Sequence, residues 1–177
     1  MSDPSAVPTP AELQAAIENL ERSRDAVLAH CSGLSASAWE RSDGPGRWSP
    51  AGILEHLVII ERRSLGLVSA MLTQPAEPDW HARTAAQDAR LPGAVVVETK
   101  IQAPPPLQPQ GGADPRTLLD EFVAARAATL AFAATPGQPL KQHLRSHPAF
   151  GELNGYQWLL LIGYHTERHL GQMRGCA

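Results

Sequence analysis

In this chain of 177 residues Thr9-Pro10, Ser49-Pro50 and Asp114-Pro115 each set a helix-capping side chain directly before a proline. Proline lacks the N–H that a helix interior needs, but in the first turn that N–H would be unpaired anyway, and the side chain before it accepts from the exposed amides. Each pair therefore marks where a helix begins. A fourth start, Asn154-Gly-Tyr-Gln157, has the form of a capping box, as does Thr9-Pro-Ala-Glu12.

Apolar residues at helical period follow each start. The first helix runs from Pro10 to about His30 with Leu13, Ile17, Leu20, Val27 and Leu28 between charged positions. The second carries Ile53, Leu57, Ile60, Leu67, Val68 and Met71, and the third Leu118, Leu119, Phe122, Val123 and Leu130 as its buried side. A short helical turn around Ser35 to Arg41, with Trp39 packing inward, separates the first two. The whole of 1–177 reads as one all-α domain, a four-helix bundle.

One connection is of a different kind. Residues 75–115 hold eight of the sixteen prolines, including Pro104-Pro105-Pro106, with little helical periodicity; Ala94-Val-Val-Val-Glu98 reads as a short extended piece. The 75–114 segment is long enough to cross the length of a bundle, so the third helix need not run antiparallel to the second. That permits an up-down-down-up order with a long crossover between helices 2 and 3.

The chemistry lies in the histidines. His165 and His169 are four residues apart in the last helix, which stacks two imidazoles on one face, about 40° apart and roughly 6 Å along the axis. Trp158, Ile162, His165, His169 and Met173 form the core-facing stripe there, and His56 lies on the stripe of helix 2 with Ile53, Ile60 and Leu67. In an up-down-up-down bundle helices 2 and 4 would be parallel and apart. In up-down-down-up they are antiparallel neighbours, and the start of one meets the later part of the other. Three neutral imidazoles suit Zn²⁺ or Ni²⁺, with Fe²⁺ a further choice, and leave an open position for water or substrate.

A core histidine is commonly a satisfied hydrogen-bonding residue, and the chain has a second i, i+4 pair, His143 and His147. Pro136, Pro139 and Pro148 break the helix that would align that pair, so it is set aside as non-ligand. His165-Thr-Glu167-Arg-His169 is not HExxH, since Glu167 is two residues from either histidine and points away from their face. Glu55 and Glu61 read as surface or supporting carboxylates. No phosphate-binding glycine loop follows a strand and no Gly-x-Ser-x-Gly elbow is present.

The stretches Trp48-Ser-Pro-Ala-Gly-Ile-Leu-Glu-His56-Leu and His147-Pro-Ala-Phe-Gly151-Glu-Leu-Asn-Gly-Tyr-Gln-Trp158, continuing to His165-Thr-Glu-Arg-His169-Leu-Gly-Gln-Met173, resemble the DinB/YfiT-like superfamily of metalloenzymes. The resemblance covers essentially the whole chain, though its motifs are short. It implies an up-down-down-up bundle, a divalent metal on His56, His165 and His169, and a homodimer. It also implies thiol-dependent transfer or isomerisation with a low-molecular-weight thiol, although some members have no known activity.

The leading expectation is a divalent-metal-dependent enzyme acting on a small molecule, a thiol S-transferase or a hydrolase. Trp48, Trp158 and the loop bearing His147 and Phe150 are candidates to wall its cavity. The competing classes are a non-catalytic, stress-related interaction bundle and a metal sensor. Net charge −3 gives no reason to expect nucleic acid or an anionic membrane as partner. The longest apolar run, Trp158 to Ile162, is too short to span a bilayer. Cys31, at a helix end, and Cys176, in a tail, show no ligand spacing, and no secretory signal is seen; a reduced, cytoplasmic setting is expected.

Overall fold

The computed structural model describes residues 3–95 and 103–176. Every marked helix start is observed. α1 (Pro10–Ser32) opens on a reciprocal capping box, α2 (Ala36–Glu40) on Ser35, and α3 (Pro50–Met71) on Ser49. α4 is Trp80–Arg90, α5 (Pro115–Ala133) opens on Asp114, and α6 (Gly155–Gly175) on the Asn154/Gln157 box. A hairpin, β1 (Leu144–His147) and β2 (Gly151–Asn154), precedes α6, with His147 opposite Gly151. Gly151 closes its three-residue turn at φ 73°, a left-handed conformation that suits glycine.

The directions of the helices follow from two core clusters at opposite ends of the bundle. One holds Ala16 and Leu20 of α1, Val68 and Met71 of α3, Ala133 of α5, and Tyr156 and Leu159 of α6. The other holds Val27 and Cys31, then Ala51, Ile53, Leu54, Leu57 and Val58, then Leu118 and Phe122, and Leu170 and Met173. Early α1 thus meets late α3, late α5 and early α6, and the reverse holds at the other end. The order is up-down-down-up, and the long α3–α5 crossover is what makes it possible. Among the described residues, no helix is long and apolar enough to cross a membrane.

Between the two clusters lies a buried polar layer. Arg126, fully buried on α5, meets the Glu61 carboxylate of α3 with both fork nitrogens, at 2.5 and 2.8 Å. It also donates to Ser23 Oγ and the Leu20 carbonyl on α1, and to Thr166 Oγ1 on α6. One guanidinium therefore ties all four long helices. Sequence patterning places Glu61 at the surface or in support of the site; it is instead 1% exposed and committed to Arg126.

Other expectations need correction. The 75–114 connection is not a plain loop but contains α4, whose buried face is Trp80, Thr84 and Gln87. That face is largely polar, so apolar periodicity misses it. Hydrogen bonds dock it instead: Gln157 Nε2 donates to the Thr84 carbonyl (2.9 Å) and to Asp88 (2.7 Å), and Asn154 Nδ2 donates to Thr84 Oγ1. Val123 is 40% exposed, because α5 turns Phe122, Ala125, Arg126 and Thr129 inward. Of the extended piece expected at 94–98, residues 94 and 95 end the 3₁₀ turn Leu91–Val95 and the rest lie outside the described residues. Cys176 caps α6 and is buried rather than in a loose tail.

Candidate metal centre

α3 and α6 run antiparallel, so their stripes face each other and His56 meets His165 and His169. One candidate ligand atom from each ring lies within 4.8 Å of the others. The ring centroids are 4.4 Å apart for His165–His169, 4.7 Å for His56–His169 and 5.2 Å for His56–His165. Trp48, just before the α3 cap, packs on His56 at 4.8 Å and stacks on His169 at 6.3 Å.

The His56 ring is oriented by the crossover. Its Nδ1–H donates to the Leu107 carbonyl at 2.6 Å, which leaves Nε2 with its lone pair free. Leu107 ends a 3₁₀ turn, Pro105–Leu107. The backbone beyond that turn is gripped by Glu55, whose carboxylate accepts from the amides of Gln110 and Gly111, both at 2.9 Å. Adjacent residues on α3 therefore divide the work: Glu55 holds the crossover and His56 uses it.

Burial acts on the three imidazoles in one direction. Desolvation, then the neighbouring His56, pushes His169 down to about 3. His165 is held well below the usual histidine value by desolvation and by His169 and His56, and His56 is lowered by its burial. All three rings are neutral at pH 7. His165 Nε2 and His169 Nε2 are 3.2 Å apart, while the Nδ1 atoms of both rings are buried without a hydrogen-bond partner.

Converging lone pairs repel unless a proton or a cation lies between them. Two nitrogens on one Zn²⁺ at about 2.0–2.1 Å and near-tetrahedral angles lie about 3.3 Å apart, close to the observed spacing. The donor set thus fits a divalent ion.

The three rings open into a cavity of about 1210 Å³. Leu67 of α3 and Trp158, Leu161 and Ile162 of α6 make its apolar wall. The crossover covers it with Ala103, Pro104 and Leu107, and the hairpin turn adds His147 and Phe150. The expected wall residues Trp48, Trp158, His147 and Phe150 all line it.

His143 and His147 do not share a helix, as the prolines foretold. His143 is buried just before β1, and His147 ends β1 and packs on Phe150 and Trp158 at 5.1 and 5.2 Å. The Ala149 amide donates to His147 Nδ1 at 3.1 Å, so the neutral ring carries its proton on Nε2. Sequence reasoning missed Leu107 as a partner, since a backbone carbonyl from a distant loop leaves no trace in residue types.

The comparisons with known proteins agree with this architecture. The chain is 28% identical over 148 residues to the uncharacterised protein YuaE of Bacillus subtilis (strain 168), covering 80% of this chain and 85% of that protein. Its fold matches the crystal structure of TT2238, a four-helix bundle protein, with a TM-score of 0.59 and 22% identity over 92% of this chain and 98% of that one. It also matches YfiT from Bacillus subtilis, described as a probable metal-dependent hydrolase with an unusual four-helix bundle topology, with a TM-score of 0.57 and 14% identity over 99% of this chain and 91% of that one. The model of the DinB superfamily matches residues 19–173, and the chain belongs to that superfamily.

Proposed function

We propose that this protein is a divalent-metal-dependent enzyme in which His56, His165 and His169 hold the ion and the adjoining cavity holds a small organic substrate. The observation that carries the reading is the convergence of three neutral imidazoles within 4.8 Å at the wall of a large, mostly apolar cavity. Three protein ligands leave coordination open, as in catalytic rather than structural sites. The description of YfiT as a probable metal-dependent hydrolase supports the same class.

A divalent cation bound there supplies Lewis acidity, lowering the pKa of a bound water for hydrolysis or of a bound low-molecular-weight thiol for S-transfer. The chain's own residues do the rest. The Leu107 carbonyl fixes the His56 tautomer and aims Nε2 at the other two rings. Trp48, Trp158 and Leu161 exclude water and strengthen local electrostatics. His147 offers a neutral Nε2–H that donates to a developing oxyanion. The ion is zinc or nickel by donor type, with iron the third choice.

Elemental analysis of untagged protein tests the reading. One metal per chain is expected, falling to a small fraction in each of His56→Ala, His165→Ala and His169→Ala. Full metal content in the variants would reject the assignment.

A further inference from the structure

The charges around the cavity are lopsided. Arg47, Arg63 and Arg168 line it, and Asp43 is its one acidic lining residue among those described. Asp43 is already taken, 3.5 Å from Arg47. Arg63 makes no hydrogen bond or ion pair with the described residues, although its neighbour Arg62 pairs with Glu121. Among the described residues no carboxylate joins the three histidines, so that group adds no negative charge. Counted over the described residues, a protein with net charge −3 thus carries a cavity whose own balance is positive. A bound divalent ion would raise that further, since none of its candidate ligands is an anion.

Position makes the charges useful. His56, Ile60, Arg63 and Leu67 all line the cavity from one stripe of α3, so Arg63 stands two turns, about 10 Å, along the helix from His56. Arg168 precedes His169 on α6 and lines the same cavity. The apolar wall of the same cavity includes Trp158, Leu161, Ile162 and Phe150. A low-dielectric wall focuses the field of the cations at its edge into the space it encloses.

We infer that the cavity selects organic anions: molecules with an apolar or aromatic body and a carboxylate, phosphate or sulfonate group, the charge being read by Arg63 and Arg168. The inference rests on the enzyme reading above and names the class of substrate for that site. Neutral molecules of the same shape gain the apolar wall but not the charge, and cations are repelled.

Paired fluorescent probes test it. Anilinonaphthalene sulfonate and its uncharged parent phenylnaphthylamine share one apolar body and differ by the anionic group. Titrations of the full chain, metal-loaded and chelator-treated, are expected to show the sulfonate binding about tenfold more tightly than the parent in both forms. Arg63→Gln should weaken the sulfonate about threefold and Arg63→Glu about tenfold, with the parent unchanged; Arg168→Gln should act in the same direction. Phenylbutyrate and phenyl phosphate should displace the sulfonate better than phenylbutanol does, and the better of the two names the anionic group.

Equal binding of the two probes would overturn the inference, as would full sulfonate affinity in Arg63→Glu and Arg168→Gln, or phenylbutanol displacing as well as the anions. Metal content measured on the same samples separates the two readings. An arginine-dependent preference in a chain that binds no metal refutes the enzyme reading alone. Metal binding with no arginine-dependent preference refutes the anion reading alone.

Discussion

The Leu107 carbonyl accepts a 2.6 Å hydrogen bond from His56 Nδ1, joining a histidine of α3 to the crossover that lies beyond α4. The two residues are far apart in sequence and meet because Glu55 clamps the same crossover through Gln110 and Gly111. The connection that sets the helix order therefore also sets the tautomer of a candidate ligand.

That pairing makes Glu55 a positioning residue. Glu55→Ala removes the acceptor of two backbone amides and frees the crossover from α3, while all three histidines remain. Metal affinity, measured by competition with a chelating dye, should fall about tenfold or more, and stability by about 1 kcal/mol. Unchanged affinity would show that the clamp does not reach His56.

The metal-free protein should lose stability in acid. The pKa values of His56, His143, His147, His165 and His169 are lowered in the fold, chiefly by burial. The unfolded chain, with ordinary histidines near 6.5, therefore binds more protons, and stability rises with pH across this window. It is fully present above about pH 6.5 and is lost as pH falls below that value toward the folded pKa values. Each extra proton taken up on unfolding contributes about 1.4 kcal/mol per pH unit. Melting temperatures of chelator-treated protein between about pH 7.5 and 5, a window that brackets the ordinary histidine value near 6.5, check this. His169→Leu should flatten the slope.

Glu61 and Arg126 form a buried pair that can be broken from either side. Arg126→Ala strands the Glu61 carboxylate in a closed interior. Glu61→Leu strands the guanidinium. Each should cost about 3–5 kcal/mol in urea unfolding, and the double replacement Glu61→Leu/Arg126→Met much less than the sum. Additive losses would mean the two do not act as a unit.

Gly163 is required by its neighbour. A Cβ there would fall 2.3 Å from Asn19 Nδ2, which donates to the Leu160 carbonyl at 2.9 Å across the α1–α6 contact. Gly163→Ala should destabilise by about 1–3 kcal/mol, and Asn19→Ala in the same chain should recover part of it. A neutral Gly163→Ala in thermal unfolding would show that the two helices can part without penalty.

Much of the fold was legible because it is written in local chemistry. Thr9, Ser49, Asp114 and Asn154 cap helices wherever such sequences occur, since each cap bonds amides only two or three residues away. The histidine stripes of α3 and α6 likewise follow from helical period alone. Together with the length of the crossover they pointed to the partnership of His56 with His165 and His169.

Tertiary structure alone decided the rest, and for a common reason. Burial of α4 through Thr84, the pairing of Arg126 with Glu61 and the bond from His56 to Leu107 are all polar contacts between distant segments. A buried polar residue looks like a surface one in a pattern of apolar periods, because its partner, not its own character, stabilises it inside. Helix starts and histidine spacing are properties of neighbouring residues; which carbonyl or carboxylate meets which donor is a property of the packed chain.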